Sequence, residues 1–198
     1  MTRREENREN RRRAILAAAK ACFAAHGFQG TGMAEIALAS GVTPANLYRY
    51  FAAKAEIVCA IVDEQREDVA AAIVRAEAEG DAMRALHSLF RHFLTEARDI
   101  AASRLWLEVL AEVARNPKVK TAFDQDDGLV KQGVVALIER GMAEGVMARD
   151  LDPAATAIWL IALVDGAVGR MVIEPDYDID RATDSFLDLI GRALGPRG

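Results

Sequence analysis

Residues recur at helical spacing along nearly the whole of this chain, and this pattern constrains its fold more than any other feature. In the first segment, Ile15, Ala19, Cys22, Phe23 and His26 follow one another at steps of four, three, one and three residues. No run alternates apolar and polar residues for long enough to predict a convincing strand. The sequence therefore predicts an all-α fold of about nine helices.

Glycine, asparagine and proline mark where these helices stop and start. Gly27 ends the first helix, Asn116-Pro117 separates the sixth from the seventh, Asp152-Pro153 opens the eighth and Pro175 ends it. We also expect a bend or interruption of the seventh helix near residues 126–128. The predicted helices cover residues 9–26, 33–39, 44–50, 54–78, 82–99, 103–115, 117–144, 153–173 and 179–194.

Charge divides the chain into a basic head and an acidic body. Residues 1–54 carry nine Lys and Arg against four Glu, a net charge of +5, whereas the whole chain carries −5. The remainder therefore carries −10. This asymmetry predicts two modules, divided between Lys54 and Ala55, with a polyanionic partner at the head only.

The sequence offers little for metal, redox or membrane chemistry. Cys22 and Cys59 lie in apolar helical patterns, which favours two buried thiols over a disulfide. His87 and His92 do not have metal-ligand spacing, so we expect no metal and no cofactor. No stretch approaches the roughly 18 uninterrupted apolar residues of a membrane span, and the charged N-terminus has no signal core, so we expect a cytoplasmic protein.

Residues 33–51 have the pattern of two short helices that cross at a tight turn. Gly41 stands at the turn, where a positive φ favours glycine, and Ala37 is small where the helices approach each other. Thr43 caps the second helix and Pro44 starts its first turn. The apolar positions between the helices are Ile36, Val42, Leu47 and Phe51.

The outer face of the second helix is small, polar, aromatic and cationic, which suits entry into the major groove of double-stranded DNA. Its predicted members are Thr43, Ala45, Asn46, Tyr48, Arg49 and Tyr50. The alternative is a plain helical hairpin with tyrosines packed in a core. That alternative would leave Asn46, Arg49 and two tyrosine hydroxyls in need of partners.

This segment resembles the DNA-binding signature of tetracycline-repressor-type (TetR family) transcriptional regulators. The resemblance covers about the first quarter of the chain, without a gap. It rests on Gly27-Phe28, Thr31, Ile36-Ala37, Ser40 to Thr43, Leu47 to Phe51 and Lys54. It departs from the family at Gly32, where a second Thr or Ser is common. We expect Glu35 to reach back to the Gly32 amide and supply half of a capping box.

The resemblance implies roles for single residues and for each module. Residues 1–54 would bind DNA, with the helix-turn-helix at about residues 33–51. Thr31, Tyr48, Tyr50 and Lys54 would hold phosphates, and Thr43, Pro44, Ala45, Asn46 and Arg49 would face base edges or the adjacent backbone. The residues Arg11, Arg12 and Arg13 would either add backbone contacts or form a solvated face.

Residues 55–198 would bind a small molecule and a second subunit. The predicted eighth helix is apolar on nearly all sides and needs a partner to cover it. The predicted dimer interface comprises Gly166, Gly169, Arg170, Phe186, Leu187 and Ile190. A two-fold dimer predicts a near-palindromic operator.

Large apolar residues of the middle helices are candidates for an effector pocket, and each has core packing as its alternative. They are Phe90, Phe93, Trp106, Leu110, Phe123, Met142 and Trp159. Glu108, Asp165 and Arg170 lie in apolar runs and could anchor a ligand, although Asp165 with Arg170 could instead pair across a dimer. The effector would be a small apolar or amphipathic molecule.

Three other functions are weighed against a ligand-responsive repressor. An enzyme is disfavoured because the chain has no GxSxG motif, phosphate-cradling glycine loop or paired Cys and His arrangement. A protein that binds DNA constitutively would have the same head and no response to a small molecule. An interaction protein would use the head for a protein or membrane surface, and would bind DNA without sequence preference.

Overall fold

Most of the chain is helical in the part that the computed structural model describes, which is residues 2–174, 176 and 178–196. Those residues contain no strand. The prediction of an all-α fold with about nine helices is confirmed, and Pro175 lies outside the described residues. The helices there are α1 (Arg3–Gly30), α2 (Met33–Ala39), α3 (Pro44–Leu47), α4 (Lys54–Glu77), α5 (Ala82–Glu96), α6 (Ile100–Val113), α7 (Pro117–Glu144), α8 (Pro153–Ile173) and α9 (Ile179–Leu194).

Four helices, α1, α3, α5 and α6, differ from their predicted bounds by more than one residue. α5 ends at Glu96 and α6 runs from Ile100 to Val113, each within three residues of its predicted ends. α1 begins at Arg3 because Thr2 and Glu5 form a capping box, in which each side chain accepts the other residue's backbone N–H. α3 ends at Leu47 and is shorter than predicted. α7 runs through residues 126–128, so the expected interruption is absent. In α1 the predicted stop appears as a kink, since Gly27 has φ 73° and ψ 165°.

The helices form two compact units. The first comprises the chain up to Gln65 together with Arg104–Asp124, and the second comprises Arg66–Ser103 together with the chain from Gln125 onward. The chain passes between the units within α4, α6 and α7. The predicted boundary between Lys54 and Ala55 separates two functional modules. It stays a prediction, because the compact units are defined by packing and divide the chain at other residues.

The core of the first unit fixes the helix-turn-helix on its supporting helices. Ile15, Ala19 and Phe23 of α1 pack in one cluster with α2, α3 and the first half of α4. Val109 of α6 and Val119 of α7 belong to the same cluster. Two helices that the resemblance places in the regulatory region therefore help to hold the predicted DNA-binding segment.

The second unit is built around α5, which packs against α8 and α9. α5 is amphipathic, and its buried face includes Leu86, Leu89 and Phe90. The Phe90 ring meets Phe186 of α9 edge to face, with 6.3 Å between ring centroids. α9 therefore turns its apolar face towards α5.

The orientation of α9 bears on the predicted dimer interface. The sequence predicts Leu187 and Ile190 there, whereas they are 3% and 1% exposed in the core of their own unit. Phe186 is also partly buried in that core. A side chain that fills its own subunit's core is not available to a second subunit in this conformation. Leu189 is a large apolar residue of α9 that is exposed.

α8 leaves much of its apolar surface uncovered. Ile158, Trp159, Leu163 and Ile173 are exposed, and Trp159 reaches 71% exposure. Gly166 and Arg170 are also exposed, and Gly169 is half-buried. By length and composition alone α8 could cross a membrane, although such a test also selects helices of soluble proteins. A largely exposed apolar helix requires something to cover it.

Candidate nucleic-acid interface

The turn between α2 and α3 has the geometry that the sequence predicts. Gly41 has φ 68°, a left-handed conformation that costs other residues steric strain. The Thr43 hydroxyl accepts the Asn46 backbone N–H at 3.2 Å, and Pro44 occupies the first turn. The predicted turn, cap and helix start are confirmed.

A buried wedge between the two helices fixes which residues face outward. Ile36, Ala37 and Leu47 are fully buried, Phe51 is nearly so, and Val42 packs against the same cluster. Because these five residues face inward, α3 cannot rotate about its axis without exposing them. The outward set is therefore determined by packing.

Some outward residues lie on α3 and the others on the tight turns that follow it. After Leu47 the chain continues in turns, with the Arg49 N–H donating to the Asn46 carbonyl at 3.1 Å and the Tyr50 N–H donating to the Leu47 carbonyl at 2.9 Å. These i to i−3 bonds tighten the end of the helix. Asn46 and Tyr50 are half-buried, and the exposed members of the set are Thr43, Pro44, Ala45, Tyr48 and Arg49.

Comparison with known proteins identifies this arrangement. Residues 15–61 match the family model described as bacterial regulatory proteins, tetR family. Residues 82–195, more than half of the chain, match the model for the C-terminal region of BetI-type transcriptional repressors. The chain belongs to the tetR family. It is a DNA-binding transcriptional regulator, and members of this family are not enzymes.

Several relatives match over almost their whole length. The probable transcriptional regulator ArpR of Pseudomonas putida is 27% identical and is covered to 95%, as is this chain. A regulator from Saccharomonospora viridis in complex with choline is 26% identical with a TM-score of 0.78, over 96% of this chain and 100% of that one. FadR of Bacillus subtilis in complex with stearoyl-CoA, 20% identical with a TM-score of 0.81 over 91% of this chain and 98% of that one, shares the fold.

Thr31 of this tetR-family protein lies inside the junction between α1 and α2. Its side chain is 1% exposed, and its hydroxyl lies 2.9 Å from the Gly27 carbonyl and 3.2 Å from the Cys22 carbonyl. A hydroxyl has a single hydrogen to donate, and both neighbours are acceptors. The implied phosphate contact therefore does not fit the Thr31 hydroxyl in this conformation, which instead holds the junction closed.

Lys54 binds the same junction from the start of α4. Its ammonium donates to the carbonyls of Phe28 at 2.6 Å and Thr31 at 2.7 Å, and lies 4.4 Å from the centre of the Phe28 ring. An ammonium has three N–H groups, so these two bonds leave one for a phosphate. Lys54 thus has a positioning role that the sequence alone did not reveal.

Two carboxylates of α6 complete the junction. Glu108 accepts the Phe28 backbone N–H at 2.7 Å, and Glu112 accepts the Gln29 side-chain N–H at 3.1 Å. A β-carbon at Gly27 would lie 3.2 Å from a Glu108 oxygen, so glycine there serves both the kink and this close approach. Sequence reasoning missed this role and took Glu108 for a ligand anchor. The available signal was two carboxylates four residues apart in an apolar helix.

Further polar contacts hold the starts of α2 and α4. The Gly32 N–H donates to the Glu35 carboxylate at 3.4 Å, which confirms the predicted half of a capping box. The other oxygen of that carboxylate lies 2.6 Å from Nδ1 of His26. Glu56 accepts the Lys118 ammonium at 2.9 Å and the Ala52 N–H at 2.8 Å. These two bonds, the one from Lys118 above all, lower the pKa of Glu56.

The cysteines of the first unit are both free thiols. Cys22 is buried, whereas Cys59 is half-buried with its sulfur 3.9 Å from the Lys118 carbonyl. Burial is the main cause that raises the pKa of each thiol. A raised pKa keeps a thiol protonated and unreactive.

The candidate pocket residues are divided between the two units. Trp106, Leu110 and Phe123 belong to the first unit, where the rings of Trp106 and Phe123 lie 5.8 Å apart. Phe90, Phe93, Met142 and Trp159 belong to the second unit, where Phe90 is fully buried and Trp159 is exposed. The pocket stays a prediction, with Trp159 better placed for an outer surface.

An open hollow of about 590 Å³ in the second unit contains none of these residues. It lies at the turn from α8 to α9. Its lining is Ile173, Glu174, Asp176, Asp178, Arg181, Ala182 and Ser185.

Proposed function

We propose that the protein is a homodimeric repressor that binds a near-palindromic operator and is released by a small apolar or amphipathic effector. The observation that carries the proposal is the outward face of α3, which presents polar, aromatic and cationic side chains on a fully buried wedge. The net charge of +5 on residues 1–54 provides the attraction to a polyanion.

Within the half-site, the outward residues divide by chemistry. Tyr48, Tyr50 and the remaining N–H of Lys54 suit phosphate oxygens, which position the protein without reading sequence. Thr43, Ala45, Asn46 and Arg49 suit base edges or the adjacent backbone, and Pro44 lies among them at the start of α3. Arg49 would pair with a guanine edge and Asn46 with an adenine edge.

The dimer would form through α8. Trp159, Leu163, Gly166, Arg170 and Ile173 follow one another at steps of three or four residues, and all are exposed. Residues at this spacing share one side of a helix, so they form a stripe that a second copy could cover. A two-fold axis would place the same stripe on both subunits and two α3 helices on two half-sites.

The effector would act by population shift between two dimer geometries. Binding among the middle helices would displace α4 and change the separation of the two α3 helices, which would then misfit their half-sites. The S. viridis regulator in complex with choline and FadR in complex with stearoyl-CoA support an organic effector. A cytoplasmic location follows from this role.

Selection of duplexes from a random library, followed by footprinting on DNA that flanks the gene, tests the DNA-binding half of the proposal. We expect enrichment of a two-fold symmetric site and protection of both half-sites. Enrichment of no motif, or of a single asymmetric site bound by one subunit, would contradict it.

The effector half needs a separate measurement. A panel of choline-like and acyl compounds would be titrated into the protein–operator complex while fluorescence anisotropy is recorded. At least one compound should lower operator affinity. If every compound that raises the melting temperature leaves operator affinity unchanged, the protein binds DNA constitutively.

A further inference from the structure

α1 extends well beyond the segment shared with the family model. The match begins at residue 15, whereas the helix begins at Arg3. The Thr2 N–H donates to Glu5 at 2.6 Å and the Thr2 hydroxyl accepts the Glu5 N–H at 3.3 Å, so the first turn has its own cap. Residues 3–14 are thus a folded helical extension and not a loose tail.

The helical repeat determines which side chains of this extension share a side. Arg4, Arg8 and Arg11 follow one another at steps of four and three residues, and Ile15 and Ala19 continue the same row. Ile15 and Ala19 are fully buried in the core of the first unit. One side of α1 is therefore apolar at Ile15 and Ala19, where the first unit covers it. The same side carries arginines in the extension, where it is exposed.

One contact places the extension beside the helix-turn-helix. The Arg12 guanidinium lies 5.8 Å from the centre of the Phe51 ring, and Phe51 is a buried residue of the wedge behind α3. Arg11, the last member of the arginine row, directly precedes Arg12, so the row starts near the reading segment and runs away from it along α1.

The arginines of the extension differ in whether they form ion pairs. Arg12 and Arg13 lie 3.9 Å and 3.5 Å from Glu9, whereas no ion pair is found for Arg4, Arg8 or Arg11 among the residues that the structure describes. All three are exposed. Like charges three or four residues apart weaken an isolated helix slightly, and a polyanion bound along the row would offset that repulsion.

We propose that Arg4, Arg8 and Arg11 bind backbone phosphates of the DNA that flanks each half-site on its outer side. Arg4 lies about 16 Å beyond Ile15 along the helix axis, a length that matches about five base pairs of duplex. The contacts are to phosphates and carry no sequence preference. This inference rests on the proposed function, because it needs α3 in a half-site.

The test compares two duplexes that carry the same selected operator. One ends at the operator, and the other extends by about eight base pairs of unrelated sequence on each side. The triple variant Arg4→Gln, Arg8→Gln and Arg11→Gln is compared with the wild type. A control variant with Arg75→Gln, Arg84→Gln and Arg149→Gln removes three exposed arginines of the second unit and changes the net charge equally.

For the wild type and the control variant, we expect the flanks to raise affinity by about tenfold or more at low salt, and to steepen the log–log salt dependence by about 0.9 for each phosphate gained. The arginine variant should bind the short duplex like the wild type and gain little from the flanks. Circular dichroism and thermal unfolding should match those of the control.

Two outcomes of the duplex titrations would overturn the inference. One is a wild-type affinity that does not depend on flank length, and the other is an arginine variant that weakens equally on both duplexes. Failure of the proposed function looks different, since the wild type would then bind the operator and a scrambled duplex of the same length equally. Tighter binding of the wild type to anionic vesicles than to the long duplex would assign the row to a membrane and also contradict the inference.

Discussion

At the scale of single residues, Glu108 of α6 holds the chain that leads into α2. Its carboxylate accepts the Phe28 N–H at 2.7 Å and lies against Gly27, the kink near the end of α1. Hydrogen bonds to charged groups are among the stronger ones in proteins. The residue thus links α6 to the position of the helix-turn-helix within the first unit.

Glu108→Ala should lower stability by about 1–3 kcal/mol, because it leaves the Phe28 N–H without its acceptor. Operator affinity should fall with it, and Glu108→Gln, which keeps an acceptor oxygen, should be milder in both respects. Urea unfolding and an operator titration measure the two effects. Glu139→Ala, at an exposed site on α7, is the control, and equal operator affinity for the two alanine variants would contradict the prediction.

A substitution at Gly41 tests the backbone conformation of the turn without disturbing the packing around it. Its φ is 68°, and a β-carbon there would meet nothing within 4 Å. Gly41→Ala should therefore cost about 1–2 kcal/mol from backbone conformation alone. Gly32→Ala is a matched control, because Gly32 has φ −98° and equally open surroundings. Equal urea midpoints for the two variants would show that the turn tolerates a side chain.

At the scale of elements, the packing of α5 against α9 contains a titratable group. His87 of α5 faces Gly191 of α9, and its Nε2 atom is buried without a hydrogen-bond partner among the described residues. Burial, with a smaller contribution from Arg91, lowers the pKa of His87, although Asp188 and Asp81 oppose the shift. The fold therefore favours the neutral ring.

Stability should consequently depend on pH through His87. The pKa of His87 in the folded protein lies below its value of about 6.5 in the unfolded chain. The stability that the neutral ring contributes is therefore complete above about pH 6.5, and is lost as the pH falls from there towards the folded pKa. Urea unfolding between about pH 5.5 and 7.5 measures this dependence. His87→Gln should flatten it, and an unchanged slope in that variant would assign the dependence to other groups.

At the scale of the whole molecule, the proposed dimer depends on what covers α8. Leu163→Glu should convert that proposed dimer into monomers and weaken operator binding strongly, because it places a charge in the stripe that a second copy would bury. Sedimentation equilibrium measures the change. Val74→Glu, at an exposed apolar residue of α4, should remain dimeric. A dimeric Leu163→Glu protein with wild-type operator affinity would move the interface away from α8.

Predictions from the sequence agree best with the structure for features that depend on neighbouring residues in the chain. The order of the helices, the positive φ of Gly41, the Thr43 cap and the Asp152 cap of α8 all follow from residues close together in the chain. The wedge behind α3 could also be predicted, because apolar spacing within a helix-turn-helix leaves few alternatives. Family membership followed from the same short segment.

The tertiary structure alone decided which partner each side chain has. Thr31 and Lys54 bond to carbonyls of the α1–α2 junction, and Glu108 reaches that junction from 80 residues further along the chain. Leu187 and Ile190, which the sequence predicts at the dimer interface, fill the core beside α5. Helical periodicity defines an apolar side of a helix but not the helix that covers it, since burial depends on distant parts of the chain.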